Sequence, residues 1–208
     1  MIVESYHSII SNNFLQPIAS AVHSLVRVPR ESVDWKTNEG DLDWILSGTL
    51  LTVAMLECAL RWTHLHRVPS SRNEGLYLYE ELRAAYAQLP NVLDAFVLRN
   101  AIAHGHVWEL SIPKSGVGRA FAKITRLRRD DFWKRSFNPH TNLTNSGLHV
   151  IPTLMTRRDL KRVREMVTLA FESLVALDLL PPDSLTSHVI WPDGSGTRIV
   201  LAELSTRI

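Results

Sequence analysis

Between Asp43 and Glu57 the chain runs without a charge from Trp44 to Leu56, and the apolar character continues to Leu60 and Trp62. Wound as a helix, Trp44, Ile45, Leu46, Leu50, Leu51, Val53, Met55, Leu56, Leu60 and Trp62 point in nearly every direction around the axis. A helix that is apolar nearly all round must be covered by others, so it takes the centre of a helical bundle. The uncharged run falls short of the roughly 20 residues that span a bilayer. The reading is a buried helix, opened by Asp41 or Asp43 and reaching about Arg67, with no membrane role.

The flanking segments supply partners for it. Tyr6, Ile9, Ile10, Leu15, Ile18, Val22, Leu25 and Val26 follow a mostly helical spacing over 6–26, with a break expected at Pro17. Pro69-Ser70-Ser71 separates the central helix from a third, expected over about Glu74 to Gln88. Past Pro90, Asn91 is a plausible N-cap and Asp94 sits in the first turn, where a carboxylate favours the helix dipole. That fourth helix is expected to stop near Gly105. A long helix follows Thr156-Arg157-Arg158-Asp159, a capping-box pattern. It has an apolar stripe of Leu160, Val163, Met166, Val167, Ala170, Phe171, Leu174 and Leu177, and Pro181-Pro182 ends it.

Two stretches have a different texture. Val107–Ile112 and Ala120–Leu127 read as strands joined by Pro113-Lys114-Ser115-Gly116-Val117-Gly118, a hairpin pattern. Residues 132–150 read as a polar loop. Val189-Ile190-Trp191 and Ile199-Val200-Leu201, around Pro-Asp-Gly-Ser-Gly, read as a terminal hairpin. The expected fold class is mainly α, an up-and-down helical bundle with a small β-hairpin insertion and a C-terminal β tail. It forms a single domain over 1–208, with a basic β/loop insertion at about 106–155 and a tail at 181–208.

Charge is distributed unevenly. The net charge is only +2, yet residues 113–164 hold 13 Lys or Arg against 3 Asp or Glu. A positive segment of this size suits a polyanion, and Lys114, Arg119, Lys123, Arg126, Arg128 and Arg129 are candidate RNA-binding residues. Phe132, Trp133 and Phe137 among Arg128, Arg129, Lys134 and Arg135 also suit base stacking in single-stranded RNA. A solvated basic face, aromatics packed within their own loop, or a surface for an acidic protein would use the same residues. Cys58 is the only cysteine, which excludes an internal disulfide or a cysteine zinc cluster and fits a small core residue. With no basic region and apolar core at Met1-Ile2-Val3-Glu4, the expected location is a reducing cytoplasm.

The chemistry-bearing feature is Val97-Leu98-Arg99-Asn100-Ala101-Ile102-Ala103-His104-Gly105-His106. Arginine can hold a phosphate through two parallel hydrogen bonds, histidine can move a proton near neutral pH, and an amide can orient either. The same residue types also cap helix ends and pack on neighbours. Asn100 and His104 share a helix face, whereas Arg99 and His104, five apart, diverge. Either the helix ends or bends near His104, or a second copy of the motif faces the first.

Arg99-Asn100 followed by three residues and His104, late in a core helix, resembles the signature of the HEPN superfamily of small helical-bundle proteins. The resemblance implies a four- or five-helix bundle that dimerises across the motif. It also implies metal-independent endoribonuclease activity, often in toxin, anti-phage defence or RNA-processing systems, with an antitoxin or other regulatory protein as a possible partner. Arg99 would hold the scissile phosphate and stabilise its developing charge. His104 would serve as general base or acid for attack by the ribose 2′-hydroxyl, and Asn100 would orient His104 or the phosphate. No cofactor or metal is implied. Some toxin members carry a modifiable Tyr two residues after the His, where this chain has His106. A catalytically silent HEPN-like module for dimerisation or RNA or nucleotide binding carries the same signature.

Two further readings concern polar residues elsewhere. His64-x-His66 and His104-x-His106 could jointly ligate a metal, but they lack an accompanying carboxylate motif. Glu57 either pairs with Arg61 one turn on or reaches across the bundle to hold Arg99.

Overall fold

The computed structural model describes residues 14–27, 35–70, 74–103, 108–111, 121–124, 136–138 and 140–206, with side chains described for 14–26, 41–70, 74–103, 136–138 and 140–204. Within them the protein is mainly helical, with small antiparallel two-stranded ladders. The helices are α1 (Gln16–Arg27), α2 (Trp35–His66), α3 (Gly75–Ala85), α4 (Leu93–Ala103), α5 (Arg157–Ala176) and α6 (Leu201–Thr206). The ladders are β1 (Trp108–Ser111) with β2 (Phe121–Ile124), β3 (Phe137–Asn138) with β4 (Leu143–Thr144), and β5 (His188–Ile190) with β6 (Arg198–Val200).

The central position of α2 follows from its composition. It touches α1, α3, α4 and α5, and Ile45, Val53, Met55, Leu56, Ala59 and Leu60 are buried among them. It starts earlier than Asp41. That carboxylate is no N-cap but accepts Nε of Arg157 at 2.9 Å, tying the first half of α2 to the start of α5. Taken whole, Asp41–His66 is long and apolar enough to cross a membrane, a length that the uncharged run alone understates. The central helix of a bundle meets the same criterion. Gly48 lies where α1, α2 and α5 converge: a Cβ there would sit 3.1 Å from the Leu160 side chain and 3.7 Å from that of Ala21.

Caps set the other helix bounds. Asn91 accepts the Leu93 amide through Oδ1 at 3.1 Å, at the start of α4. The Thr156–Asp159 capping box forms as the pattern predicts. The stop of α5 comes before Pro181. Asp178, at φ 57°, takes the left-handed position, with its amide on the Val175 carbonyl and the Leu179 amide on that of Leu174. This is a Schellman termination with Asp in the place glycine usually fills. α3 ends at Ala85, short of Gln88. Pro17 lies within the first turn of α1, where a proline gives up no intrahelical bond. The 6–13 part of that expected helix lies outside the described residues.

Three expectations for the non-helical parts need revision or detail. β1 and β2 pair in register Trp108↔Ile124, a hairpin as expected; its connection lies outside the described residues. The stretch expected to be a polar loop contains the β3–β4 ladder. From it Phe137 and Val150 pack on Val97 and Ala101 of α4 in a small cluster of their own. Phe137 is therefore a core residue and not a base-stacking one. The C-terminal tail forms its hairpin, with Gly194 and Gly196 at positive φ in the turn, but Leu201 begins α6 instead of ending a strand. Trp191 meets His23 of α1 edge-on at 5.2 Å, and Gln16 donates to the Ile190 carbonyl. One cluster of buried apolar residues runs from Leu15 to Leu204.

Candidate functional site

α4 is held along most of its length. Ala95, Phe96, Val97, Leu98 and Ala101 are fully or almost fully buried. Phe96 packs on Tyr79 of α3, whose hydroxyl donates to the Pro90 carbonyl at 2.7 Å. At the N-terminal end, Asp94 accepts the Ser146 amide at 2.8 Å. The helix therefore has little freedom to rotate, and Arg99 and Asn100 emerge at a fixed place.

The Arg99 guanidinium is gripped by both of its terminal nitrogens. Nη2 lies 3.0 Å from Oε2 of Glu57 on α2, and Nη1 donates to Oδ1 of Asn100 at 2.7 Å. The side chains of Arg99 and Glu57 are 26% and 15% exposed. Of the two readings of Glu57, this geometry gives the one across the bundle. It also shows which neighbour the Asn100 amide oxygen meets. That oxygen is turned to Arg99, although adjacent helix positions do not ordinarily face each other.

Glu57 can lie there because of a residue without a side chain. A Cβ on Gly75, the first residue of α3, would fall 2.5 Å from Cγ of Glu57 and 3.0 Å from its Oε1. Real contacts of this kind do not occur, so the Glu57 side chain occupies the space glycine leaves. The sequence alone offers no sign of this, since a glycine beside Glu74 reads as ordinary helix-start punctuation.

His104, His106, Lys114, Arg119, Arg126, Arg128, Arg129, Phe132, Trp133, Lys134 and Arg135 lie outside the described residues; Lys123 is described by backbone alone, in β2. The two His-x-His pairs do not make a metal site through His64. Its Nδ1 lies 2.6 Å from the Val68 carbonyl and its Nε2 3.2 Å from that of Leu78. Both ring nitrogens thus face backbone carbonyls, and the ring lies between the end of α2 and α3. His66 meets Trp62 with the ring planes tilted by 43° and the centroids 4.8 Å apart. No group of three or more metal-ligating side chains occurs among the described residues.

A second polar cluster lies at the start of α5. Asp159, 2% exposed, accepts the amide and hydroxyl of Thr156 at 2.7 and 2.8 Å and the His149 amide at 3.1 Å, and lies 3.0 Å from His149 Nδ1. No spacing in the sequence announces the His149 partnership. Cys58, next to Glu57, has its thiol pushed up by burial, with Arg61 pulling the other way. Burial lowers the Arg164 guanidinium to about 10, partly opposed by Glu165.

No protein-family model matches the chain, and neither does any curated protein or solved structure.

Proposed function

We propose that the protein is a HEPN-like, metal-independent endoribonuclease. The observation that supports this reading best is the fixed, partly exposed Arg99 guanidinium between Glu57 and Asn100, five residues before His104 in sequence. In the proposed reaction, neutral His104 takes the proton from a ribose 2′-hydroxyl. The 2′-oxygen bonds to phosphorus, the bond to the 5′-oxygen breaks, and that oxygen leaves with a proton from a His104 imidazolium, so that no proton is gained or lost overall. The products are a 2′,3′-cyclic phosphate and a 5′-hydroxyl. Arg99 stabilises the charge that grows on the phosphoryl oxygens. Positions five apart on an unbroken helix diverge, so in this reading the complete site is a homodimer with two motif helices facing across a twofold axis. The basic segment supplies affinity for RNA, and a toxin or defence setting with a regulatory partner follows from the resemblance.

The test is incubation of the purified protein with mixed RNA in chelator. His104→Ala and Arg99→Ala should each lower cleavage by about 10²–10⁴-fold, the usual cost of losing a proton-transfer group, and wild-type products should carry cyclic phosphate ends. Cleavage at the wild-type rate by both variants overturns the assignment. Reversing Arg126, Arg128 and Arg129 to Glu should weaken RNA binding and flatten its salt dependence, and unchanged binding would remove that segment from the interface. One observation favours the alternative of a catalytically silent binding module: Glu57 already offsets much of the Arg99 charge. Such a module would bind RNA or nucleotides through Arg99, and His104→Ala would leave binding intact.

A further inference from the structure

Arg99 is held from two sides by groups of different origin. Asn100 is its neighbour in the same helix, and any substitution there also changes α4. Glu57 comes from another helix, 42 residues away in sequence, and its carboxylate meets the nitrogen that Asn100 does not. A guanidinium is planar and its N–H bonds leave in fixed directions. Fixing both terminal nitrogens therefore fixes the plane and leaves only small rocking. The Glu57 carboxylate in turn reaches that place only because α3 begins with a residue lacking Cβ. The three residues thus form a chain of support: Gly75 admits Glu57, and Glu57 orients Arg99.

We propose that Glu57, seated over Gly75, is the positioning residue that aims the Arg99 guanidinium at the phosphate, an inference that rests on the ribonuclease reading for its activity readout but not for its structural one. Glu57 touches neither phosphate nor ribose. It keeps Arg99 in one orientation, so that transition-state contacts form without a search among rotamers, and misaiming a catalytic group by about 1 Å costs on the order of 10²-fold. The ion pair also leaves the guanidinium less cationic toward distant phosphates. Removing Glu57 is therefore expected to lower turnover without lowering RNA affinity, which separates positioning from charge attraction.

The decisive variants are Glu57→Gln, which keeps shape and loses charge, and Gly75→Ala, which keeps both charged partners and takes away the seat. Each should lower kcat roughly ten- to a hundredfold with KM unchanged or reduced. The double variant should be no worse than the poorer single one, because both break the same link. Binding of a 2′-deoxy oligonucleotide, which cannot be cleaved, should be as tight as wild type or tighter. If Gly75→Ala does not fold, Glu57→Gln carries the test alone. A Glu57→Gln enzyme with wild-type kcat overturns the proposal, and so does one whose only defect is weaker oligonucleotide binding. Should the wild type cleave no RNA, the ribonuclease reading fails, and the support chain is then judged by thermal melts. Losses in Tm for Glu57→Gln and Arg99→Ala that add in the double variant refute it. A double variant no less stable than Arg99→Ala alone upholds it.

Discussion

Two acidic side chains organise the polar interior, and they do so in opposite ways. Asp159 is almost fully buried, and its hydrogen bonds go to Thr156 and His149, all within ten residues of chain. Glu57 is partly open and joins helices 42 residues apart through a cation. The first arrangement closes a helix end and fastens the loop before it. The second spends its carboxylate on aiming a side chain that still meets solvent. A buried acid whose two oxygens both accept hydrogen bonds is a device for stability, because losing it strands the donors around it. A partly exposed ion pair contributes little to stability, so its specific geometry needs another reason.

The sharpest way to break this contrast is to remove each acid's cluster and compare melts with activity. Asp159→Ala should cost about 3 kcal/mol, combining a lost cap with stranded buried donors, and should lower Tm by about 10 °C at this chain length. Cleavage per folded molecule should stay at the wild-type level. Arg99→Ala should show the reverse, with a change in stability of about 1 kcal/mol or less. Equal Tm losses in the two variants would erase the distinction. A smaller effect separates the parts of the Asp159 cluster. His149→Ala should cost about 1 kcal/mol, since it removes one partner of a carboxylate that keeps the Thr156 cap, and urea midpoints will read it. A loss as large as that of Asp159→Ala would make the histidine, not the cap, the main element.

The smallest expected effect reports on the Glu57 side. The Cys58 thiol is raised by burial, so its thiolate fraction near pH 8 is low and alkylation should be slower than for an unhindered cysteine. Arg61 opposes the shift. Arg61→Ala should therefore slow alkylation further and move the rate's rise to higher pH. Faster alkylation in that variant would mean that access, rather than ionisation, governs the thiol.

What could be read in advance follows the same division between local and distant. The central helix was legible because its apolar residues surround the axis, and α5 because Thr156 and Asp159 announce its start three residues apart. The Arg99–Asn100 pattern was legible as chemistry, but its geometry was not. Whether Glu57 turns to Arg61 or Arg99 depends on which helix packs beside α2, and the role of Gly75 depends on the register of α3 against it. The β3–β4 ladder escaped because Phe137 and Val150 are two apolar residues in a polar stretch. Only their meeting with Val97 and Ala101 makes them core. The start of α6 at Leu201 escaped because Ile199-Val200-Leu201 reads as a strand until the chain turns.

That small cluster on α4 has a topological consequence. α4 ends at Ala103, and Phe137 packs against Ala101 of the same helix, so the 32 residues from 104 to 135 connect two points that lie close together. Their number is nearly free of thermodynamic consequence for the bundle, because doubling a flexible closed loop costs only about 0.6 kcal/mol. The bundle therefore tolerates changes in the length of this connection, which in sequence carries Lys114, Arg119, Lys123, Arg126, Arg128 and Arg129.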